Sequence, residues 1–409
     1  MAIQNSTTSF DDIPEETASN ILLRLPVKAL IRSTSVNKKW YSLITNPLFI
    51  SAQVKNATSH CDDNAALIIP PYLSQDKYCS LISAGTSKLI KKYEVPFTTK
   101  SDTLKLVGSV NGLMLLTDST MRYNSRDLYL WNPLTKTHRT LVSTCFKNVL
   151  SNPYTSYGVV GLGFNSSAND FRIVRIVYAA DKNVNFFGEV APRVEVYSLR
   201  KHTWKKIKDA VVPGLASNEG TYVNGSFYWK DIANSQEEND LWIMSFDFEN
   251  EVFGELKVPR NVSNCMGATA KLWLMGFEGS LALCVFDAHQ INGVASFPYH
   301  LWLMRQENDL ISWTSRFSAA RKEGGGWPLN ITKAGTLILE VCPLWGRLDV
   351  KSIVSFNPMN MHLKDLGFSK HGAVETSILG PDSEFTVDTS FTESLVMYEG
   401  GKALVKFAK

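Results

Sequence analysis

Apolar residues recur at helical spacing over the first fifty positions and at strand spacing after them. Ala18, Ile21, Leu22 and Leu25 repeat every three or four residues, which marks one buried helix face. Pro14 suits the first helical position, and Glu15 and Glu16 behind it offset the helix dipole. Pro26 separates this helix from a second stripe of Val27, Leu30 and Ile31. Ser33, Thr34 or Ser35 can cap a third helix. Its face is Val36, Trp40, Leu43 and Ile44, and Asn46-Pro47 stops it. Three short helices in about 40 residues bury little surface alone, so they must pack on the rest of the chain or on a partner. Periodicity by itself reads as a helical cap on a larger domain.

From residue 64 the pattern changes to short strands between turn signals. Val110-Asn111-Gly112-Leu113 and Val223-Asn224-Gly225-Ser226 place Asn-Gly turns between apolar runs, a strong hairpin signal. Glu278-Gly279-Ser280 and Ala334-Gly335-Thr336 take the same role. These four glycines stand 113, 54 and 56 residues apart. The wide first interval calls for one more unit, which Gly161 to Val174 supplies around a loop at 165–170. Each unit has a second half, at 127–133, 193–199, 240–247, 299–305 and 349–358. Four strands per roughly 50–60 residues is the signature of a β-propeller blade. Five blades fall between 103 and 368. Strand candidates at 66–69, 80–82 and 89–93 begin another, with 394–398 and 403–407 expected to complete it and protect its edge. The expected fold class is therefore α+β multidomain: a small three-helix N-terminal module, then an all-β propeller of about six four-stranded blades.

With the strands of each blade lettered A to D, the A–B and C–D links are short. The B–C and D–A links are long, at 117–126, 143–156, 180–192, 231–239, 287–298, 318–327 and 369–392. In an antiparallel blade these two kinds of link lie at opposite ends, so the long loops crowd one face, where binding residues concentrate. Arg122, Tyr123, Arg126, Tyr154, Tyr157, Phe186, Phe187, Phe297, Tyr299, Trp327, Trp345 and Arg347 are the large side chains expected there. Tyr, Trp and Arg are the usual interface anchors. The alternative for each is that it folds back to plug a loop or a gap between blades.

The 409 residues exceed one ordinary core, so two or more domains are expected. With 44% hydrophobic and 20% charged residues the composition is that of a globular protein, and a net charge of +3 is too mild to imply nucleic acid. No apolar run nears the length of a membrane span and no secretory leader is read. The six cysteines form no Cys-x-x-Cys pair and read as reduced. The histidines are scattered, no metal motif appears, and no cofactor, metal or catalytic residue is expected. Gly324-Gly325-Gly326 beside Arg321-Lys322 lacks the Lys-Ser/Thr of a phosphate loop and reads as a tether. Arg200-Lys201-His202 with Trp204-Lys205-Lys206 reads as a solvated outer strand in preference to a nucleic-acid surface.

The order of residues in the helical module adds what periodicity cannot. Ile13-Pro14, Ile21-Leu22, Leu25-Pro26-Val27-Lys28, Leu30-Ile31, Val36, Lys38, Trp40, Leu43-Ile44, Pro47 and Phe49-Ile50 together resemble the F-box of plant F-box proteins. Ser33, Ser35 and Asn37 depart from its usual residues. The propeller pieces Gly108 to Leu113, Leu130-Trp131-Asn132-Pro133, Val223-Asn224-Gly225 before Phe227-Tyr228-Trp229, and Ser355-Phe356-Asn357-Pro358 resemble the kelch-type F-box-associated region. The double glycine usual in kelch blades is absent.

This resemblance implies a disordered N-terminus at 1–9, an F-box at 10–50, a linker at 51–63 and the propeller at 64–409. It implies a non-catalytic substrate receptor of a ubiquitin ligase in the cytoplasm or nucleus. The expected partners are a Skp-type adaptor, through it a cullin and a RING subunit, and a target protein, with neither nucleic acid nor membrane. The family's adaptor-binding role carries onto Ile13, Pro14, Ile21, Leu22, Leu25, Pro26, Val27, Leu30 and Ile31. Two other readings stay open: a glycosidase-like propeller enzyme with a helical cap, and an F-box protein acting outside a ligase.

Overall fold

Pro14 and Pro26 each stand one residue ahead of a helix, not inside it. In this computed structural model, α1 (Glu15–Leu22) follows Pro14 and α2 (Val27–Ser33) follows Pro26, both prolines extended with ψ of 141° and 145°. α3 (Lys38–Ile44) is capped by Asn37, whose side-chain oxygen accepts the Trp40 N–H at 2.8 Å. The expected caps Ser33, Thr34 and Ser35 instead donate back to the carbonyls of Ala29, Ile31 and Arg32. The off-pattern Ser35 is exposed, so its small side chain leaves no void. A fourth helix, α4 (Pro47–Ala57), begins where Asn46-Pro47 was read only as a stop. The Asn46 side chain accepts the Leu48 N–H at 2.9 Å. The expected border at residue 50 therefore falls inside α4.

The structure describes residues 13–57, 63–70, 73, 75–100, 102–118, 127–141, 157–178, 192–208, 210–212, 216–231, 241–263, 271–287, 289–291, 294–307, 310–321, 325–341, 350–371 and 385–397. The first blade holds β1 (Ala65–Ile69), β2 (Tyr78–Ser83) and β3 (Leu89–Glu94). The second is β4 (Lys105–Val110), β5 (Leu113–Thr117), β6 (Leu128–Asn132) and β7 (Thr137–Leu141). The third is β8 (Tyr157–Asn165), β9 (Asp170–Tyr178), β10 (Arg193–Ser198) and β11 (Thr203–Ile207). The fourth is β12 (Ala216–Val223), β13 (Ser226–Asp231), β14 (Trp242–Asp247) and β15 (Val252–Lys257). The fifth adds a short strand: β16 (Lys271–Phe277), β17 (Ser280–Phe286), β18 (His289–Ile291), β19 (Val294–Glu307) and β20 (Leu310–Arg321). The sixth is β21 (Gly326–Ile331), β22 (Leu337–Val341), β23 (Val350–Asn357) and β24 (His362–His371).

One more strand, β25 (Thr386–Asp388), pairs with β1, Val387 opposite Ile68, and gives the first sheet the order β25-β1-β2-β3. The six blades form a closed propeller whose inner strands β25, β4, β8, β12, β16 and β21 meet in that order around the axis. The ring thus closes on Thr386–Asp388 and not on the expected 394–398. Residues 394–397 leave the sheet, and 403–407 lie outside the described residues.

The Asn-Gly turns behave as their chemistry demands. Asn111 and Gly112 both have positive φ (52° and 79°), as do Asn224 and Gly225 (45° and 88°), the backbone of a two-residue hairpin matched to strand twist. Fully buried Trp131, Trp229, Phe227, Phe246, Phe248 and Phe356 fill the blades. Among the described residues, buried ion pairs inside single blades join Arg175 to Glu195 and Lys351 to Glu340, each at 3.1 Å.

Val387 is buried against Ala66, Ile68, Ile338 and Ile353, so it tests the closure directly. Val387→Asp places an unpaired carboxylate in that site and is expected to cost about 3 kcal/mol or more. Calorimetry should show a clearly lower melting midpoint, while Val387→Ile should shift it little. Equal midpoints for Val387→Asp and the wild type would mean that β25 does not hold the ring.

Candidate functional site

The helical module has one small core. Leu22, Val27, Leu30, Ile44 and Phe49 pack together, with Leu25, Ile31, Trp40 and Leu43 around them. This corrects part of the expected adaptor surface: Leu22, Val27 and Leu30 are buried, because short helices with no other interior must spend their best apolar positions on each other. Ile13, Leu25 and Ile31 are half-buried, and Pro14 and Pro26 are exposed. Ile21 is 42% exposed.

Three more apolar side chains open to water were missed by the periodicity reading: Val36 at 63%, Tyr41 at 40% and Leu48 at 77% exposure. Val36 was placed on a buried stripe, but it lies in the turn after α2, where helical phase does not apply. Tyr41 could have been found, since it stands one residue off the Trp40–Ile44 face and so points outward.

The sixth member of that core comes from the other end of the chain. Leu395, fully buried, packs among the helices, and its N–H donates to the Gln53 side chain at 3.2 Å. The segment that carries it, 391–397, runs directly from β25 across the A–B and C–D turns of the second blade. Asn132, almost fully buried, donates through its side-chain amide to the carbonyls of Ser394 (3.0 Å) and Val396 (2.8 Å). The segment also passes close to Gly112. Any Cβ there would overlap the Thr392 carbonyl and the Ser394 side chain. α4 adds a second attachment: Val54 packs with Val110, Leu113 and Val396, and the Ser51 hydroxyl donates to Asn169 at 2.9 Å in the A–B turn of the third blade. The module therefore sits on the short-turn face, opposite the face of the long loops.

Of the expected long-loop anchors, the side chains of Arg122, Tyr123, Arg126, Tyr154, Tyr157, Phe186, Phe187, Trp345 and Arg347 lie outside the described residues. The other three candidates are not loop residues. Phe297 and Tyr299 belong to β19 and are buried in the core of blades five and six. The Tyr299 hydroxyl donates to the Gly326 carbonyl and accepts the Gly326 N–H, both at 2.9 Å, and burial pushes its pKa up. These two are corrected from substrate anchors to core: the fifth blade's third strand starts earlier than its turn signals suggested. Gly326, read as part of a tether, opens β21. Trp327 is half-buried, 5.2 Å from Phe286 and 5.7 Å from Trp273 between ring centres.

A cavity of about 220 Å³ runs along the propeller axis between β4, β12, β16, β21 and β25. Lys105 and Lys230 line it, as do Asn330 and Asp388. Among the described residues no group of three or more His, Cys, Asp or Glu is placed to hold a metal, and no helix is long and apolar enough to cross a membrane.

The F-box domain family model matches residues 10–51, and that of the F-box associated beta propeller domain matches residues 73–338. An F-box/kelch-repeat protein of Arabidopsis thaliana is 25% identical over 340 residues, covering 80% of this chain and 85% of its own. The F-box protein CPR1 of the same plant is 25% identical over 325 residues, 75% of this chain and 73% of its own. A solved structure, a putative 6-phosphogluconolactonase from Bacteroides uniformis, superposes with a TM-score of 0.40 at 12% identity, over 80% of this chain and 100% of that one. At that level the likeness carries no functional argument.

Leu395→Ala leaves a hole in the helical core and is expected to cost about 2–5 kcal/mol there. In limited proteolysis followed by mass spectrometry, residues 13–57 should be cut sooner than in the wild type while the blades persist. Unchanged resistance would show that the helices close their core without this residue.

Proposed function

Since the chain belongs to the family of F-box proteins with an associated β-propeller, we propose that it is the substrate-recognition subunit of a Skp–cullin–F-box ubiquitin ligase. One observation carries this reading. The helical module completes its core with Leu395 yet leaves Ile21, Val36, Tyr41 and Leu48 in water, on the propeller face away from the long loops. A Skp-type adaptor covers those side chains and links the protein to the cullin and RING subunits. The long-loop face holds a target protein for ubiquitination and degradation. Catalysis belongs to the other subunits, and this chain contributes proximity. The reading puts the protein in the cytoplasm or nucleus.

A glycosidase-like enzyme needs a pair of carboxylates free to act on a bound sugar. Near the long-loop ends of their blades, Glu195 and Glu340 are each held in a buried ion pair, with Arg175 and Lys351. Those two carboxylates serve the blade and are not free for such a role.

The test uses the full chain carrying Ile21→Asp and Tyr41→Asp. Both positions are exposed, so the fold should stand, while charges on the adaptor surface should cut capture of a Skp-type adaptor by about tenfold or more. Capture at the wild-type level would contradict the reading.

A further inference from the structure

The inner strands keep the propeller axis open where the fold does not oblige them to. Gly108 on β4 and Gly276 on β16 both line the axial cavity. Neither has the positive φ that would exclude a side chain. A Cβ at Gly108 would meet no atom within 4 Å, and one at Gly276 would meet its nearest neighbour, Val223, at 3.4 Å. Gly161 and Gly220 differ, since a Cβ at either would overlap Phe227. Glycine at 108 and 276 therefore serves the open space and not the packing around it. At about 220 Å³ that space is smaller than the pockets of roughly 300–1,000 Å³ that take drug-sized ligands.

One wall of the cavity carries a carboxylate that the protein leaves half satisfied. Asp388, on the closing strand β25, lines the cavity and is 3% exposed. Its Oδ1 accepts the Ser390 N–H at 2.8 Å and the Ser390 hydroxyl at 2.7 Å. Its Oδ2 is buried with no hydrogen-bond partner among the described residues. A buried acceptor without a donor costs free energy, and more so when it is charged. Burial accordingly pushes the Asp388 pKa up, against the pull of the Ser109 and Ser390 hydroxyls. A donor brought to Oδ2 by a ligand removes that cost.

The rest of the wall narrows the kind of donor. Lys105 and Lys230 also line the cavity, and Lys230 donates to the Leu272 carbonyl at 2.8 Å. Two ammonium groups in the wall work against a small cation, and the Asp388 carboxylate works against a small anion. A neutral molecule with several hydroxyls suits both, because each hydroxyl can donate to a carboxylate and accept from an ammonium. The Ser109 and Ser390 hydroxyls, 3.1 Å apart, offer further partners of either sense. Tyr222, Trp273 and Met275 supply apolar wall for the ligand's carbon atoms.

We propose that the axial cavity binds a small neutral polyol of monosaccharide size, held by a hydroxyl that donates to Asp388 Oδ2. The site is independent of the adaptor surface and of the target. Since Asp388 belongs to the strand that closes the ring, an occupied cavity stabilises the closed propeller.

The test is saturation-transfer difference NMR on the full chain. Glucose, galactose, mannose and sorbitol are the polyol probes, with ethanolamine as the cationic and acetate as the anionic control. At least one polyol should show transfer, exceed both controls and raise the melting midpoint of the wild type. Asp388→Asn keeps the Oδ1 acceptor and puts a donor in place of Oδ2, so the affinity for that polyol should fall by about tenfold or more. Gly108→Leu grows a side chain into open space and should remove both the transfer and the rise in midpoint. Circular dichroism without ligand shows that each variant is folded, and the two variants act at different walls, so either one carries the test. Transfer from no polyol, stronger transfer from ethanolamine or acetate, or unchanged affinity in a folded variant overturns the proposal.

Discussion

Leu395 completes the core of a domain that begins almost four hundred residues earlier. The helical module is too small to bury itself, and its inward-facing Leu22, Val27, Leu30, Ile44 and Phe49 leave room for one more large apolar side chain. The chain supplies it only after the ring has closed, because β25 pairs with β1 and the next residues cross to the helices. Closure of the propeller and completion of the helical core are thus consecutive consequences of one stretch of backbone. The Asn132 amide and the bare Cα of Gly112 let that stretch lie flat on the second blade. Two modules that the sequence suggests are separable are in physical terms one body.

That coupling fixes where the two working surfaces point. Antiparallel blades put short turns at one end and long loops at the other, and 391–397 and α4 both attach at the short-turn end. The exposed Ile21, Val36, Tyr41 and Leu48 belong to the module on that side. The long loops lie at the opposite end. The proposed receptor role requires two partners at a set separation, since transfer between them would depend on proximity. A rigid weld provides that, where a flexible linker would spread the distance.

Much of this was legible in the residues, and the misses have physical causes. Helical spacing found the inward faces around Leu22, Leu30 and Ile44, and turn chemistry found the Asn111-Gly112 and Asn224-Gly225 hairpins with their positive φ. The closing strand escaped because Thr386–Asp388 is three residues long, with one buried apolar side chain, too short for any period to register. The more apolar Ser394 to Met397 looked the better strand, but its leucine was spent on the helices. Phe297 and Tyr299 read as loop anchors because β19 extends for fourteen residues, well past its turn signals. At the candidate site, Trp327 was found as a large side chain near a long loop. Lys105 and Lys230, which line the axial cavity, were not, since a lysine at a strand end is unremarkable until the neighbouring blade is placed beside it.

The helical module and the propeller, joined through Leu395 and α4, move as one rigid body. Spin labels at the exposed Thr17 on α1 and Asn250 in the fourth blade, with reactive native cysteines replaced, allow the distance between them to be measured by pulsed electron resonance. A single narrow distance distribution is the predicted result. A broad distribution, of the width a flexible tether gives, would contradict it.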